Sequence, residues 1–476
     1  MDYQNLIDGA WVSCGTAVPN VNPSDTTDVL GHAAQAGIEE MTQAISAADA
    51  AAQGWAASTP QQRFDVLDFI GTEILSNAQA LGKLLSREEG KTLPEGIGEV
   101  TRAGHIFKFF AGEALRQTGD LLASVRPGVG IDVTRDPMGV VGLITPWNFP
   151  IAIPAWKVAP ALAYGNAVVL KPAELVPGCA HALAQIIAKS DLPKGVFNLV
   201  LGLGSELGPT LINDPRVTAI SFTGSVPTGR GIAAACGAQL KKVQLEMGGK
   251  NPLVVLDDAD LETAVEVALN GSFFSTGQRC TASSRLIVTQ GIHDRFVARL
   301  TERMRALKVD HALGDGVQMG PVVDARQLAQ NLEYVQIAKD QGAQVIGGAR
   351  VTRETEGFYM EPALITDTTN DMRINREEVF GPVATVIKVA DFDTAVRVAN
   401  DTEFGLSAGI CTQSLKHATL FKAQAQAGMV MVNLPTAGVD YHVPFGGTKG
   451  SSFGSREQGR YAAEFYTKVK TAYTGV

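Results

Sequence analysis

The sequence predicts an α/β protein built on mostly parallel sheets. From Met138 onward, short runs rich in Val and Ile alternate with stretches that repeat apolar residues at helical spacing, the pattern of strand–helix–strand units with helices on both faces of a sheet. Composition agrees: 45% hydrophobic and 19% charged residues over a chain of 476 describe a folded chain of two or three domains and not a disordered one. Between Leu121 and Pro137 the alternation breaks into a hairpin-like stretch, which reads as an arm and not as part of a core.

Residues 1 to about 37 are turn-rich and short-stranded, as at Asn22-Pro23-Ser24-Asp25. Three helical patterns follow. Met41 to Trp55 is rich in alanine; Pro60 to Leu85 carries Phe64, Leu67, Ile70, Ile74 and Leu81 on one face; Glu95 to Thr118 does the same with Val100, Ile106, Phe107 and Phe110. Val125, Val129, Ile131 and Val133 then alternate loosely with Gly and Arg. The α/β region opens with strands over 139–144 and 167–170, a helix over 176–189, a strand over 196–201 and a helix over 205–212. It continues with a strand over 217–222, a helix over 226–236 and a strand over 242–246. A second unit starts after Gly248-Gly249-Lys250-Asn251-Pro252, with strands over 252–256, 284–288, near Val345 and over 383–389, and helices over 261–274, 293–307 and 325–341. Phe465 to Tyr473 alternates weakly and is suited to pair with the arm.

The formal net charge of −9 argues against a nucleic-acid binder, which carries a basic patch. No apolar run is long enough to span a bilayer. The N-terminus shows no basic stretch followed by an apolar core, so the expected compartment is the cytoplasm. Cys14, Cys179, Cys236, Cys280 and Cys411 form no CxxC pair, and the seven histidines form no HExxH; neither a disulfide framework nor a metal site is expected.

Chemistry-bearing residues concentrate at strand ends. Phe222 to Gly229 (FTGSVPTG) lies between a strand and a helix, where glycines admit a close backbone approach and a helix N-terminus favours an anion such as a pyrophosphate. It is neither GxGxxG nor a P-loop. Asn148, in Thr145-Pro146-Trp147-Asn148-Phe149-Pro150, is placed to donate to a developing oxyanion; a turn-stabilising asparagine is the plainer role. Lys171 and Glu174 are a candidate pair for ribose hydroxyls, or an ordinary solvated pair. Glu246, beside Gly248 and Gly249, is a candidate general base, or a surface carboxylate. Glu377-Glu378-Val379-Phe380-Gly381-Pro382 sets a carboxylate and an aromatic ring at the entry to a strand. Cys280, in Phe274-Ser275-Thr276-Gly277-Gln278-Arg279-Cys280-Thr281, is a candidate nucleophile in a small polar loop, with the cationic Arg279 beside it to favour a thiolate. Read alone, the segment favours an ordinary buried cysteine.

Taken together and in this order, PWNFP, KPAE, FTGSVPTG, LEMGGK, GQRC, EEVFGP, NDTEFGLSAG and PFGG resemble the aldehyde dehydrogenase superfamily over essentially the whole chain. The separations, 23 residues from Asn148 to Lys171 and 34 from Glu246 to Cys280, match as well. The resemblance implies a Rossmann-type cofactor domain (1–121 and 138–247), an α/β catalytic domain (248–454) and a β-hairpin oligomerisation arm (122–137 with 455–476), hence a homodimer or homotetramer. It implies that Cys280 attacks the aldehyde, that Asn148 and the Cys280 N–H hold the oxyanion, and that Glu246 activates water against the resulting thioester. Relatives that pass the acyl group to coenzyme A generally lack that base, so hydrolysis is expected. NAD or NADP would meet Trp147, Lys171, Glu174, Gly224, Ser225, Gly229, Glu378 and Phe380.

The longer phrases Ser272 to Val288 and Asn433 to Thr467 resemble bacterial 2-oxoglutarate semialdehyde (2,5-dioxopentanoate) dehydrogenases. Such a substrate carries a carboxylate, so a cation is expected to meet it. Arg279 is one candidate; Arg102 is the other, on a stretch similar to the carboxylate-anchoring helix of methylmalonate-semialdehyde dehydrogenases. Succinate semialdehyde, or a broad range of aldehydes, is the alternative substrate. A non-catalytic cofactor-binding protein on this fold is the alternative of another class.

Overall fold

The computed structural model describes residues 2–475. Two large sheets organise the chain. The first has eight strands, with Val140–Ile144, Ala167–Lys171, Phe197–Leu199, Val217–Thr223 and Lys242–Glu246 parallel at its centre. Numbered along the chain, these five lie in the order 3-2-1-4-5, so the topology reverses between Val140–Ile144 and Val217–Thr223. Open sheets of this kind bind ligands beyond the carboxyl ends of the strands at that reversal. Asn5–Ile7 and Ala10–Val12 extend one edge, and Ser452–Phe453 pairs antiparallel with Lys242–Glu246 at the other.

The second sheet runs Gln344–Gly347, Ala363–Thr366, Val383–Val389, Ser283–Thr289, Asn251–Val255, Ser407–Cys411, Met429–Val432, parallel except for the first. Its central strands are apolar along both faces, with Leu253 to Val255 and Leu286 to Val288 all buried, as a sheet covered by helices on both sides requires. The carboxyl ends of the first sheet meet the amino ends of the second: Asn148 donates across to the Gln278 carbonyl at 3.0 Å, and the Gly249 N–H donates to Glu378 at 2.8 Å. The third sheet takes in the hairpin-like stretch and the C-terminal segment. Thr467–Gly475 pairs antiparallel with Val129–Pro137, which pairs with Asp120–Ala123. A fourth, Asp2–Tyr3 with Asp25–Ala33 and Val18–Asn22, accounts for the turn-rich start.

The expected elements form, with instructive differences. The helical pattern over Pro60 to Leu85 is two helices, Pro60–Ser76 and Ala78–Glu89. Asn77 ends the first, its side-chain amide donating to the Glu73 carbonyl at 2.8 Å; such side-chain bonds compete with helix continuation. Leu93–Ala114 starts at a capping box in which Glu95 reaches back to the Thr92 N–H. Helices Ala152–Ala163, Phe392–Asn400 and Leu415–Gln424 lie outside the expected set; the first carries no periodic signal, because every residue in it is buried and none marks a polar face. Its first N–H groups are capped from another helix: Glu99 Oε1 accepts from Ile151 at 3.0 Å and from Ala152 at 3.1 Å. No helix among the described residues is long and apolar enough to cross a membrane.

Candidate active site

Three cavities line up along the seam between the two large sheets. A cleft of about 690 Å³ follows the topological reversal, bounded by Trp147, Lys171, Glu174, Gly224 and Ser225. It shares Trp147, Gly224 and Ser225 with a second cavity of about 250 Å³ that also takes in Glu378, Phe380 and Cys280. A third, of about 310 Å³, reaches Cys280 from the other side, past Arg102, Phe149, Trp156, Arg279 and Phe445. Cys280 therefore stands where two openings meet.

The long cleft suits a dinucleotide. Helix Val226–Ala238 opens onto it with no side chain capping its start, leaving N–H groups for an anion. Thr223 Oγ1 is buried without a partner. At Gly224 any Cβ would stand 2.5 Å from the Phe222 ring, so the backbone there stays bare. Lys171 Nζ and Glu174 Oε2 pair at 3.1 Å on the wall. Against the cost of burial, Lys171 and nearby N–H donors hold the Glu174 carboxyl below the usual range. Trp147 and Phe380 meet edge to face, ring centroids 5.4 Å apart, with Phe380 at φ 60°. Glu378 is half-buried against Gly248 and Gly249, and loss of solvation there pushes its pKa up to about 7. Gly229 is the exception among the expected cofactor residues: it faces Met247 and Phe222, not the cleft, and its bareness lets the helix pack, since a Cβ would fall 2.4 Å from Met247 Sδ.

The nucleophile loop is strained into place. Helix Leu261–Phe273 stops one residue before the expected end, and Ser275 and Thr276 then take left-handed conformations, φ 51° and 55°, which non-glycine residues rarely adopt. Three contacts hold this turn. Glu95 Oε1 accepts the Ser275 N–H at 2.7 Å and its hydroxyl at 3.0 Å, and Thr276 donates to the Gly320 carbonyl at 3.1 Å. Gly277, φ 64°, runs so close to Gly381 that a Cβ would lie 2.1 Å from its carbonyl oxygen. Asn148 is buried; one amide proton goes to Gln278 O and the other has no partner among the described residues. Its backbone carbonyl is held by Lys91 Nζ, which also pairs with Glu99 at 2.9 Å.

Arg279 corrects an expectation. It does not reach the thiol: Nη2 donates to Ser275 Oγ at 2.9 Å and to Glu95 at 3.3 Å, and Nη1 lies 3.5 Å from Asn270 Oδ1. With that cation engaged elsewhere, burial, Glu378 and Glu246 push the Cys280 thiol up to about 12. Arg102 is differently placed. Nη2 donates to Gln458 Oε1 at 3.1 Å, Nε is buried without a partner, and among the described residues the side chain makes no ion pair. Glu246 is buried, and burial together with Glu457 raises its carboxyl well above the usual range. Lys91, Glu95 and Glu99 were not anticipated as site residues. The Thr92-x-x-Glu95 capping pattern was visible in the sequence, but nothing local said that Glu95 also faces the cysteine loop.

The model of the aldehyde dehydrogenase family matches residues 11–472. The chain belongs to the aldehyde dehydrogenase family and is an NAD(P)-dependent oxidoreductase. It is 43% identical to the alpha-ketoglutaric semialdehyde dehydrogenase of Bacillus subtilis (strain 168), over 99% of this chain and 98% of that protein. It is 40% identical to the 2,5-dioxopentanoate dehydrogenase of Saccharolobus solfataricus, over 99% of each. Among solved structures, betaine aldehyde dehydrogenase from Staphylococcus aureus in complex with NAD+ superposes with a TM-score of 0.97 at 34% identity, covering 99% of this chain and 95% of that one. An NADP-dependent enzyme of E. coli superposes at 0.96 with 36% identity, covering 100% and 98%.

Proposed function

We propose that the protein oxidises 2-oxoglutarate semialdehyde to 2-oxoglutarate, with Cys280 as nucleophile, Asn148 as oxyanion donor and Glu246 as general base. The observation that carries the substrate class is Arg102: a guanidinium on the wall of the cavity that ends at Cys280, with a buried, unpartnered Nε, and with Glu99 and Asp440 near enough to favour its charge but not ion-paired to it among the described residues. The half-buried guanidinium keeps a donor free for a further acceptor, and a substrate carboxylate supplies one with a charge-assisted bond. Arg279, already paired with Glu95 at 3.3 Å, is the weaker candidate. The relatives named for this aldehyde support the same reading.

In this mechanism the Cys280 thiolate attacks the aldehyde carbon. The free Asn148 amide proton and the Cys280 N–H take the charge that develops on oxygen. NAD or NADP, when bound, accepts the hydride. Glu246 then removes a proton from water as the water oxygen bonds to the thioester carbon and the C–S bond breaks. Lys171 and Glu174 hold one ribose of the cofactor, Gly224 and Ser225 its phosphates, and Glu378 with Phe380 the nicotinamide end.

The division into a cofactor domain (1–121, 138–247), a catalytic domain (248–454) and an arm (122–137, 455–476) belongs to the same proposal, as does a cytoplasmic homo-oligomer. The arm supports assembly because Leu121, Leu122, Val125, Val469 and Tyr473 stand exposed on it, an apolar surface that a second subunit would cover. The five free cysteines suit a reducing compartment.

The test is a kinetic panel of semialdehyde acids and neutral aldehydes with NAD and NADP, on the wild type and on Arg102→Ala and Arg279→Ala. Arg102→Ala is expected to raise KM for the semialdehyde acid roughly 10- to 100-fold, as loss of a charge-assisted bond predicts, and to leave neutral aldehydes little changed. Equal losses on both substrate types would sink the anchor.

A further inference from the structure

The expected general base stands off the cavities in which its task lies. Glu246 ends strand Lys242–Glu246 yet lines neither of the two cavities that meet at Cys280. Its carboxyl is tied at both oxygens. Oε2 accepts from Ser452 Oγ at 2.5 Å and Oε1 from Gln244 Nε2 at 3.2 Å. The carboxyl also lies against a bare glycine, since a Cβ on Gly446 would stand 2.8 Å from Oε1.

The Ser452 bond is directional. Its Oγ accepts the Gly447 N–H at 2.6 Å, so one lone pair is engaged and the single hydroxyl proton is left for Glu246. Backbone pairing fixes where that hydroxyl stands: Ser452 is directly opposite Glu246 in the antiparallel pair, and the Met247 N–H bonds to the Ser451 carbonyl at 2.8 Å. Nothing else in the reaction calls on Ser452.

We propose that Ser452 is a latch that parks the Glu246 carboxylate away from Cys280, and that this bond must open before the thioester is hydrolysed. The proposal rests on the reading of Glu246 as general base. Parking serves the first half of the reaction: a carboxylate turned toward the thiolate would oppose its formation, and Glu246 already disfavours ionisation of Cys280 from where it lies. In the second half the carboxylate must come within hydrogen-bond reach of a water at the thioester. There it takes a proton from that water as the new C–O bond forms and the C–S bond breaks, returning Cys280 as thiolate. The rate of that step scales with the fraction of Glu246 that has left the latch.

The experiment separates the two half-reactions. Formation of reduced cofactor in the first turnover reads acylation. Rapid quenching with intact-protein mass reads decay of the acylated chain. Ser452→Ala is expected to speed decay of the acyl-enzyme at least about threefold, a modest share of what a hydrogen bond to a charged group can hold. Ser452→Thr, which keeps the hydroxyl, is expected to restore wild-type decay. Should the alanine variant fold poorly, Ser452→Gly carries the same expectation. An unchanged or slower decay in a folded Ser452→Ala or Ser452→Gly would overturn the latch, as would an acceleration that persists when Glu246→Gln is also present. Failure of the underlying reading has its own signature: Glu246→Gln alone would then decay at the wild-type rate, whatever Ser452 does.

Discussion

At Cys280 the local charge opposes the ionisation that the chemistry needs. Burial, Glu378 and Glu246 together hold the thiol up to about 12, while Arg279 is engaged with Glu95. The backbone N–H groups of Cys280 and Thr281 act the other way, but they are the smaller influence. With such a pKa, roughly one thiol in ten thousand is ionised at pH 8, so the cofactor-free enzyme is expected to react sluggishly with iodoacetamide. The rate should climb about tenfold per pH unit through pH 7–9, because only the thiolate attacks. Oxidised cofactor brings a cationic ring into the cavity that ends at this sulfur, and an opposite charge lowers a thiol pKa. Alkylation followed by mass spectrometry should therefore be faster with NAD+ present than without it. A flat pH profile below pH 8, or slower alkylation with NAD+ under conditions where it does not block access, would contradict this electrostatic picture.

Helix Leu93–Ala114 is the element that connects the reacting groups. Glu95, Glu99 and Arg102 fall on one helical face at i, i+4 and i+7. Glu95 holds the left-handed turn before Cys280, Glu99 caps the helix that follows Asn148, and Arg102 lines the substrate cavity. Removing the first of these, in Glu95→Ala, frees Ser275 and Arg279 at once. It is expected to lower kcat roughly 10- to 100-fold, since an ångström-scale misplacement of a nucleophile is enough for such a loss. Cofactor Kd, measured by fluorescence quenching, should stay near wild type; a variant that binds cofactor and turns over normally would remove Glu95 from the positioning role. None of this bracing was legible in the sequence. The strands of the first sheet's centre were, because Val- and Ile-rich runs such as Val217 to Phe222 carry their own signal, while Ala363–Thr366, Ser407–Cys411 and Met429–Val432 of the second sheet lay outside the expected set; the strand-end motifs around Asn148, Glu246 and Cys280 were legible too, because their residue types and order are distinctive. Glu95 and Glu99 read as ordinary helix carboxylates, since their partners lie 180 and 52 residues away. Arg279 misled for the opposite reason: adjacency in the chain suggested a contact that the turn directs elsewhere.

On the scale of the whole molecule, one buried ion pair fastens the C-terminal segment to the first sheet. Lys157, fully buried in helix Ala152–Ala163, pairs with Glu457 and donates to Ser221 Oγ at 2.6 Å; Ser221 in turn bonds Glu457 at 2.9 Å and Gln244 at 2.7 Å. Burial lowers the Lys157 pKa, and Glu457 opposes that only in part. The segment so fastened includes Ser452 and leads into the arm strand Thr467–Gly475. Breaking such a pair by removing one partner leaves a buried charge unmatched and costs about 3–5 kcal/mol, whereas replacing both partners with apolar groups of similar size is often neutral. Lys157→Met is therefore expected to lower the urea midpoint of unfolding with little change in slope, and Lys157→Met combined with Glu457→Leu to recover most of the loss. The same single variant should loosen the arm, so limited proteolysis is expected to cut near the C-terminus earlier than in the wild type. A Lys157→Met protein as stable and as protease-resistant as the wild type would mean that the segment is held by its apolar contacts, Phe465 and Tyr466 in the cluster that includes Phe107, Leu143 and Trp156, and not by the ion pair.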